Sequence, residues 1–225
     1  MSKFVQYLNP AIPLKNRLQQ TFKELGVSSS QRAKIRTFTQ LLRLKDKATY
    51  EHSIRVALLS HQIARFMHLG QTALFYAGIL HDVGKSQTNP ATLKKTSGWT
   101  AEDSAEVMNH VMDGYRLIRG EFDFSAEVIL WHHRFQANAY PETSPPLLHE
   151  YSSGTRVLIP FFGRALALAD QFDALHRVND KFVVDGKLSI GETVKQRMLE
   201  HNPDQRSLVA ELFDAGIFTT ETWDT

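Results

Sequence analysis

One apolar segment of the chain, AGILHDVGKSQ, contains a histidine and an aspartate side by side, His81 and Asp82. The apolar residues that precede this pair predict a buried helix. Burying an imidazole and a carboxylate is costly unless hydrogen bonds or a metal ion satisfy them. The pair therefore indicates either an internal hydrogen-bond network or a metal site.

Histidine and aspartate residues occur in four further apolar segments. A lone histidine in an amphipathic helix is usually a satisfied core or surface residue, but five segments that each carry imidazole or carboxylate groups indicate a shared site. Imidazole and carboxylate are ligands for iron, manganese, zinc and nickel. The whole set exceeds the needs of one tetrahedral ion, which favours two ions. Besides the first pair, the set comprises His52, His110, His132, His133 and Asp170.

The remaining histidines are not expected to be ligands. His61 lies about half a turn around the predicted helix from His52, and His68 lies close to His61 on that opposite face. His176 is likewise rotated away from Asp170 on its own helix. The histidines predicted not to bind metal are His61, His68, His149, His176 and His201.

Helix signals run along the whole chain. Apolar periodicity and capping residues, such as Thr100 with Asp103, predict a succession of helices. A loop is expected over 134–155, which contains three prolines. The predicted fold is all-α, with residues 1–45 as a helical N-terminal extension and residues 46–225 as the metal-binding domain. The predicted helices cover 13–26, 28–44, 50–70, 71–82, 100–120, 124–133, 155–177, 193–201 and 203–216.

The composition limits the classes of function. A hydrophobic fraction of 42% supports a large core, and the absence of cysteine excludes disulfides and thiolate chemistry. A formal net charge of only +2 argues against a dedicated nucleic-acid binder. We find no signal peptide and no apolar run long enough to span a membrane, so we expect a cytoplasmic protein without membrane partners.

The order of the histidine and aspartate residues resembles the HD superfamily of metal-dependent phosphohydrolases. More narrowly, it is similar to the HD-GYP cyclic-dinucleotide phosphodiesterases, through the segments TYEHSIRVA, ILHDVGK, LKKTSGWTAEDSAEVMNHVMDGYRLI, VILWHH, AYP and ALADQFDAL. The resemblance implies an HD-domain helical bundle that binds two divalent ions, iron or manganese. The metal ligands it implies are His52, His81, Asp82, His110, His132, His133 and Asp170.

Such a site would support phosphodiester hydrolysis. Two ions about 4 Å apart lower the pKa of a shared water from about 15.7 toward about 7, and the resulting hydroxide attacks phosphorus. Asp82 has two oxygens with which to bridge the ions. We expect Asp82 and Lys85 to be catalytic, and Lys85, Arg134 and Tyr140 to contact the substrate. The alternative for Lys85 is a solvated lysine after Gly84. The alternative for Arg134 and Tyr140 is that they are ordinary loop residues.

The chain departs from the HD-GYP pattern in three places. In the family, the loop after the paired histidines reads close to HHERxDGxGYP. This chain has the shorter HHRFQANAYP, in which Ala139 replaces the glycine of GYP. Members with three metal ions carry a glutamate at the position of Ala48, so a dinuclear site is expected. The IPD that usually follows HDxGK is also absent after Gln87 and Thr88. These changes affect the substrate pocket more than the ligand set.

Three functions remain open from the sequence. The leading one is a phosphodiesterase that hydrolyses a cyclic dinucleotide or a related small-molecule nucleotide or phosphoester. The second is the diiron oxygenase branch of the same superfamily, which uses nearly the same ligands. The third is a catalytically weak signalling or binding protein with an eroded GYP loop. Regulation would come through the N-terminal helices or a regulatory protein partner.

Overall fold

The computed structural model describes residues 12–95, 97–176 and 190–219. These residues form α-helices and two short 3₁₀ helices, Val83–Ser86 and Pro203–Gln205, with no β-strand among them, which confirms the all-α prediction. The α-helices are α1 (Leu14–Glu24), α2 (Ser29–Lys45), α3 (Lys47–Phe66), α4 (Gln71–Leu80), α5 (Pro90–Leu93), α6 (Ala101–Met108), α7 (His110–Ile118), α8 (Asp123–Ile129), α9 (Ser153–Leu175), α10 (Ile190–His201) and α11 (Arg206–Asp214).

Helix α4 lies at the centre of the fold. Its residues 74–80 are all buried, in agreement with an amino-acid sequence that is apolar on every face. It packs against α2, α3, α8 and α9. Because α4 ends at Leu80, the next two residues, His81 and Asp82, are held inside the protein rather than at its surface.

The N-terminal helices share the core of the rest of the chain. Leu18, Phe22 and Ile35 are buried in the same hydrophobic cluster as residues of α3 and α4. The described part of the N-terminal extension therefore packs directly against the helices that carry the candidate site. Residues 1–11 of the predicted extension lie outside the described residues.

The helix predicted over 100–120 is in fact two helices. The capping box of Thr100 and Asp103 is present, which confirms the predicted start. The helix is interrupted at Asn109, however, and the His110 side chain lies across the break, with Nδ1 2.6 Å from the carbonyl oxygen of Val107. Continuous periodicity in the sequence did not reveal this interruption.

The helix predicted over 124–133 is also shorter than expected. Helix α8 ends at Ile129, and the chain continues through turns in which Trp131 and Arg134 make i to i+3 backbone hydrogen bonds. His132 and His133 therefore lie beyond the end of the helix. The predicted loop that follows is present, and α9 begins at Ser153, which places Pro160 inside that helix. Arg177, at the end of the predicted helix over 155–177, lies outside the described residues.

Candidate metal centre

Five segments bring the predicted ligand residues together. His52 comes from α3, His81 and Asp82 follow α4, and Asp170 comes from α9. His110 begins α7, and the paired histidines follow α8. All are buried except His133, which is half-buried. Among the described residues, some sets of three have ligand atoms that all lie within 4.8 Å of one another. These sets are His52–His81–Asp170, His81–Asp82–His132 and His110–His132–His133.

The two carboxylate oxygens of Asp82 face different imidazoles. Oδ2 lies 3.5 Å from Nε2 of His81 and 3.6 Å from Nε2 of His52. Oδ1 lies 3.3 Å from Nε2 of His110. Asp82 is thus located between two sets of histidines, which is the arrangement that a bridging carboxylate requires.

Each set of histidines has further ligand atoms at similar spacing. Asp170 Oδ1 lies 3.0 Å from Nε2 of His52 and 3.6 Å from Nε2 of His81. On the other side, Nε2 of His110 lies 3.4 Å from Nε2 of His132. Two atoms that bind one ion at about 2.0–2.2 Å in tetrahedral or octahedral geometry are about 3.0–3.5 Å apart. The observed spacings therefore suit shared metal ions.

Two buried atoms of the cluster have no hydrogen-bond partner among the described residues. They are Nε2 of His81 and Oδ1 of Asp82. Leaving a buried polar atom without a partner costs about 1–3 kcal/mol, and more for a charged group. A divalent cation would satisfy both atoms, so the donor set fits a metal site.

The outer nitrogens of four histidines hold the rings in the orientation that ligation needs. When Nδ1 donates its hydrogen to an acceptor, the lone pair is on Nε2, which here faces the cluster. Nδ1 of His52 lies 2.6 Å from Oδ2 of Asp173. In the other three rings Nδ1 faces a backbone carbonyl oxygen: that of Gly78 for His81 at 2.8 Å, that of Val107 for His110 at 2.6 Å, and that of Ile129 for His132 at 2.5 Å.

His133 differs from the other histidines of the cluster. Its Nδ1 lies 2.8 Å from the Gln136 amide nitrogen, which would donate to it and leave the ring hydrogen on Nε2. Rotating that amide by half a turn would reverse the roles and free Nε2. The sequence left open which member of the pair binds metal, and this geometry favours His132.

Burial keeps the imidazoles on one side of the cluster neutral. Desolvation, helped by the charge of Lys85, lowers the pKa of His110 to about 3. Desolvation, helped by His81, lowers the pKa of His132 to about 4. Both rings therefore present free lone pairs at neutral pH, and no proton has to leave when a cation binds.

Charge attraction outweighs burial at the two carboxylates and at His81. Burial alone would raise the pKa of Asp82, but His81 and Lys85 hold it well below its usual range. Burial also opposes ionisation of Asp170, whose pKa His52 and His81 keep low. For His81, burial lowers the pKa but the two carboxylates raise it above its ordinary value. Both carboxylates are therefore ionised and ready to bind a cation.

Lys85 lies beside the cluster rather than in solvent. It belongs to the 3₁₀ helix Val83–Ser86, and its Nζ is 2.7 Å from Oδ2 of Asp82. Its side chain is only 18% exposed. The positive charge is therefore held against the Asp82 carboxylate rather than in bulk solvent, as a solvated lysine would be.

The two predicted substrate contacts from the loop have different positions. Tyr140 stacks on His133, with ring centroids 4.5 Å apart, and burial raises the pKa of its hydroxyl, which stays protonated. Arg134 instead packs over Trp131, 4.9 Å from its ring centroid, and its Nε and one Nη have no hydrogen-bond partner among the described residues. Tyr140 thus lies against the cluster, while Arg134 packs on its own loop.

Sequence reasoning missed the group that orients His52. Asp173 is buried, and its Oδ2 contacts Nδ1 of His52 while Arg55 binds both its oxygens at 2.6 and 3.1 Å. Burial would raise the pKa of Asp173, but His52 and Arg55 hold it well below its usual range. Because Asp173 follows Asp170 by three residues, the two share a helix face, and this spacing in ADQFDAL could have identified it.

We expect Asp173→Asn to lower metal affinity about 10–100-fold, because removing the carboxylate weakens both the orientation and the basicity of His52. The measurement is competition with a metal-sensitive dye under anaerobic conditions. Asp113→Asn, which removes the surface ion pair with Arg116, is the matched control. Equal metal affinities for the two variants would show that Asp173 does not position His52.

The five histidines predicted not to bind metal lie outside the groups with ligand spacing found among the described residues. His61 bonds Gln71, His149 bonds Asp123 and His201 bonds Gln171. His176 contacts the carbonyl oxygen of Phe172. The remaining one, His68, is exposed just after α3.

Within the described part of the chain, none of the helices combines the length and the hydropathy that crossing a bilayer requires.

The HD domain family model matches residues 49–175, which include every residue of the cluster. A curated relative, the cyclic di-GMP phosphodiesterase of Thermotoga maritima, is 31% identical over 58% of this chain and 35% of its own length. The 3'3'-cGAMP-specific phosphodiesterase 1 of Vibrio cholerae is 26% identical over 76% of this chain and 37% of its own length. The chain thus spans little more than a third of either relative.

A solved structure shares the fold. The HD domain of the phosphodiesterase PgpH from L. monocytogenes, in complex with cyclic-di-AMP, aligns with a TM-score of 0.50 at 15% identity. The alignment covers 81% of this chain and 91% of that one. At this identity the likeness concerns the arrangement of helices.

Proposed function

Because this chain belongs to the HD domain family, we propose that it is a metal-dependent phosphohydrolase that cleaves a phosphodiester bond of a cyclic dinucleotide or a related nucleotide. The observation that carries the proposal is the position of Asp82 between two sets of buried histidines. The names of the two curated relatives support the substrate class. Neither of them is named as an oxygenase, and the oxygenase alternative has no comparable support.

The ligand set suits two divalent cations, for which we propose iron or manganese. His52, His81 and Asp170 would hold one, His110 and His132 the other, and Asp82 would contact both. When bound, such cations supply Lewis acidity and lower the pKa of a water molecule. The imidazole and carboxylate donors are consistent with these metals.

The protein's own side chains would bind and orient the substrate. Lys85 Nζ adds a positive charge next to Asp82, where it would attract the oxygens of the scissile phosphate. The Tyr140 hydroxyl, which stays protonated, can donate a hydrogen bond from the other side of His133. Most residues of the cluster are buried, and the low dielectric constant of the protein interior strengthens these charge interactions.

The domain assignment remains part of the proposal. Residues 46–225 would form the HD domain, and residues 1–45 an N-terminal extension. Helix α2 packs against α3, α4 and the 3₁₀ helix Val83–Ser86, so a movement of the extension would reach the segment that carries Lys85. A regulatory partner that binds α2 could act through this contact.

The direct test is incubation of the purified, metal-loaded protein with a panel of cyclic dinucleotides under anaerobic iron or manganese conditions. We expect formation of a linear dinucleotide from at least one member of the panel, and loss of that product in the presence of a chelator. If metal-loaded protein produced no linear product from any member, the proposed activity would be wrong, and the signalling or binding alternative would be favoured.

The altered loop leads to a separate prediction about specificity. HHRFQANAYP lacks two glycines of the family pattern, and Ala139 adds a Cβ where a backbone could otherwise approach a ligand closely. We expect slow turnover of cyclic di-GMP, while a generic chromogenic phosphodiester is still hydrolysed. Steady-state kinetics on both substrates provide the check. Efficient cleavage of cyclic di-GMP at low micromolar concentration would show that the glycines are dispensable.

A further inference from the structure

A cavity of about 340 Å³ lies next to the metal centre, between the altered loop and two helices. Phe135, Gln136 and Ala137 line it from the loop, and Arg164 and Gln171 line it from α9. Gln136 contacts His133, which belongs to the cluster. A ligand in the cavity would therefore be only one side chain away from the cluster.

The guanidinium in the lining is paired with a carboxylate. Among the described residues of the lining, Arg164 is the only lysine or arginine, and it is buried. Its Nε and one Nη bind both oxygens of Asp204, at 2.9 and 2.6 Å, and that Nη also bonds the Asn202 amide oxygen at 2.9 Å. A cation paired in this way does not attract a phosphate strongly. The cavity is therefore suited to an uncharged group.

Two carboxamides keep hydrogen-bonding capacity for a ligand. Gln171 uses one N–H toward His201 and accepts from Asn202, which leaves one N–H and one oxygen lone pair. Gln136 uses one N–H toward His133 and keeps its second N–H and its oxygen. Each glutamine thus offers an adjacent donor and acceptor, beside the flat ring of Phe135.

A carboxamide that offers one hydrogen-bond donor and one acceptor distinguishes adenine from guanine. Glutamine or asparagine binds adenine through N6 and N7 with one donor and one acceptor, whereas guanine is read most often by a free arginine or lysine. In the described lining, two carboxamides keep a donor and an acceptor, and the one arginine is paired with Asp204 through Nε and one Nη. Its volume lies near the lower end of the range of about 300–1,000 Å³ for ligand pockets, so it suits one base rather than a whole dinucleotide.

We propose that this cavity binds the adenine base of an adenine-containing cyclic dinucleotide whose phosphodiester is cleaved at the metal centre. The proposal rests on the proposed function for the identity of the substrate, but not for the binding of the base. Gln171 and Gln136 would read the adenine edge, and the face of the Phe135 ring opposite the Arg164 guanidinium would stack on the base.

The test is calorimetric titration of the metal-loaded 225-residue chain with AMP and, separately, with GMP. Both nucleotides carry the same phosphate, so any contact of that phosphate with metal cancels in the ratio of their affinities. We expect AMP to bind about tenfold more tightly than GMP, as one well-formed base contact provides. Equal affinities, or a preference for GMP, would overturn the proposal.

Variants of lining residues test whether the preference for AMP over GMP arises in this cavity. Gln171→Ala should lose the AMP preference, whereas Gln196→Ala, on the exposed face of α10, should keep it. Ala137→Trp fills the cavity from an exposed loop position and removes no internal hydrogen bond, so it should weaken AMP binding even if Gln171→Ala fails to fold. Metal content serves as the test of folding. An unchanged AMP preference in correctly folded Gln171→Ala and Ala137→Trp would refute the assignment.

The outcome separates this proposal from the proposed function. Cleavage of cyclic dinucleotides by a protein that binds AMP and GMP equally would overturn the adenine site alone. A clear AMP preference without hydrolysis of any cyclic dinucleotide would support the adenine site and contradict the phosphodiesterase.

Discussion

Asp82→Ala should abolish phosphodiesterase activity and remove most of the bound metal. Oδ1 of Asp82 faces His110 and Oδ2 faces His52 and His81, so on the proposed ligand assignment one substitution removes a ligand from both ions. Loss of a group that merely orients a ligand already costs about 10–100-fold in metal affinity or activity, and we expect a larger loss here. The measurements are metal content after gel filtration and the rate of phosphodiester hydrolysis.

A matched control separates this effect from a general loss of negative charge. Asp214→Ala removes an exposed carboxylate at the end of α11 and should leave metal content and activity unchanged. Asp82→Asn preserves the shape of the side chain but replaces one ligand oxygen with an amide nitrogen, so it should behave like Asp82→Ala. If Asp82→Ala retained both ions, the bridging role would be wrong.

Gly84→Ala should destabilise the protein and distort the metal centre. A Cβ at this position would lie 1.9 Å from the backbone oxygen of His110 and 2.5 Å from the backbone nitrogen of Gly114. These are backbone atoms of α7, so they can move away only if the helix that begins with His110 shifts. We expect a decrease of about 3 kcal/mol or more in the free energy of unfolding, together with weaker metal binding.

Chemical denaturation of the metal-free protein and a metal-binding titration test this expectation. Gly154→Ala is the matched control, because its Cβ would have only the Ser152 hydroxyl within 4 Å, at 3.9 Å, and alanine favours the first turn of α9. Unchanged stability and metal affinity in Gly84→Ala would show that α7 is not held in place by this close approach.

Local patterns were sufficient to predict most helices and the composition of the cluster. The apolar run before His81, the capping box at Thr100 and the histidine faces of α3 all depend on residues close together in the sequence. Such patterns show which side chains turn inward. They also distinguished His52 from His61 and His68, because rotation around one helix follows from sequence spacing alone.

The sequence did not reveal several features of the structure, some of them local and others tertiary. The break at Asn109 and the early end of α8 occur within segments of continuous helical periodicity. The ring orientation of His133 depends on a single amide, that of Gln136. Asp173 supports His52 across a separation of 121 residues, and the cavity joins a loop to α9 and to the residues at the end of α10. The Asp170–Asp173 spacing places Asp173 on the ligand face of α9, but no local pattern identifies His52 as its partner or joins the loop to α9.

The metal content of freshly purified protein, handled without oxygen, tests the central claim most directly. Elemental analysis of the chain should give about two iron or manganese ions per chain, because Asp82 lies between the two proposed sets of ligands. The Asp82→Ala variant purified in parallel should contain almost none. Fewer than one ion per wild-type chain under these conditions would contradict the account of the site as a dinuclear hydrolytic centre.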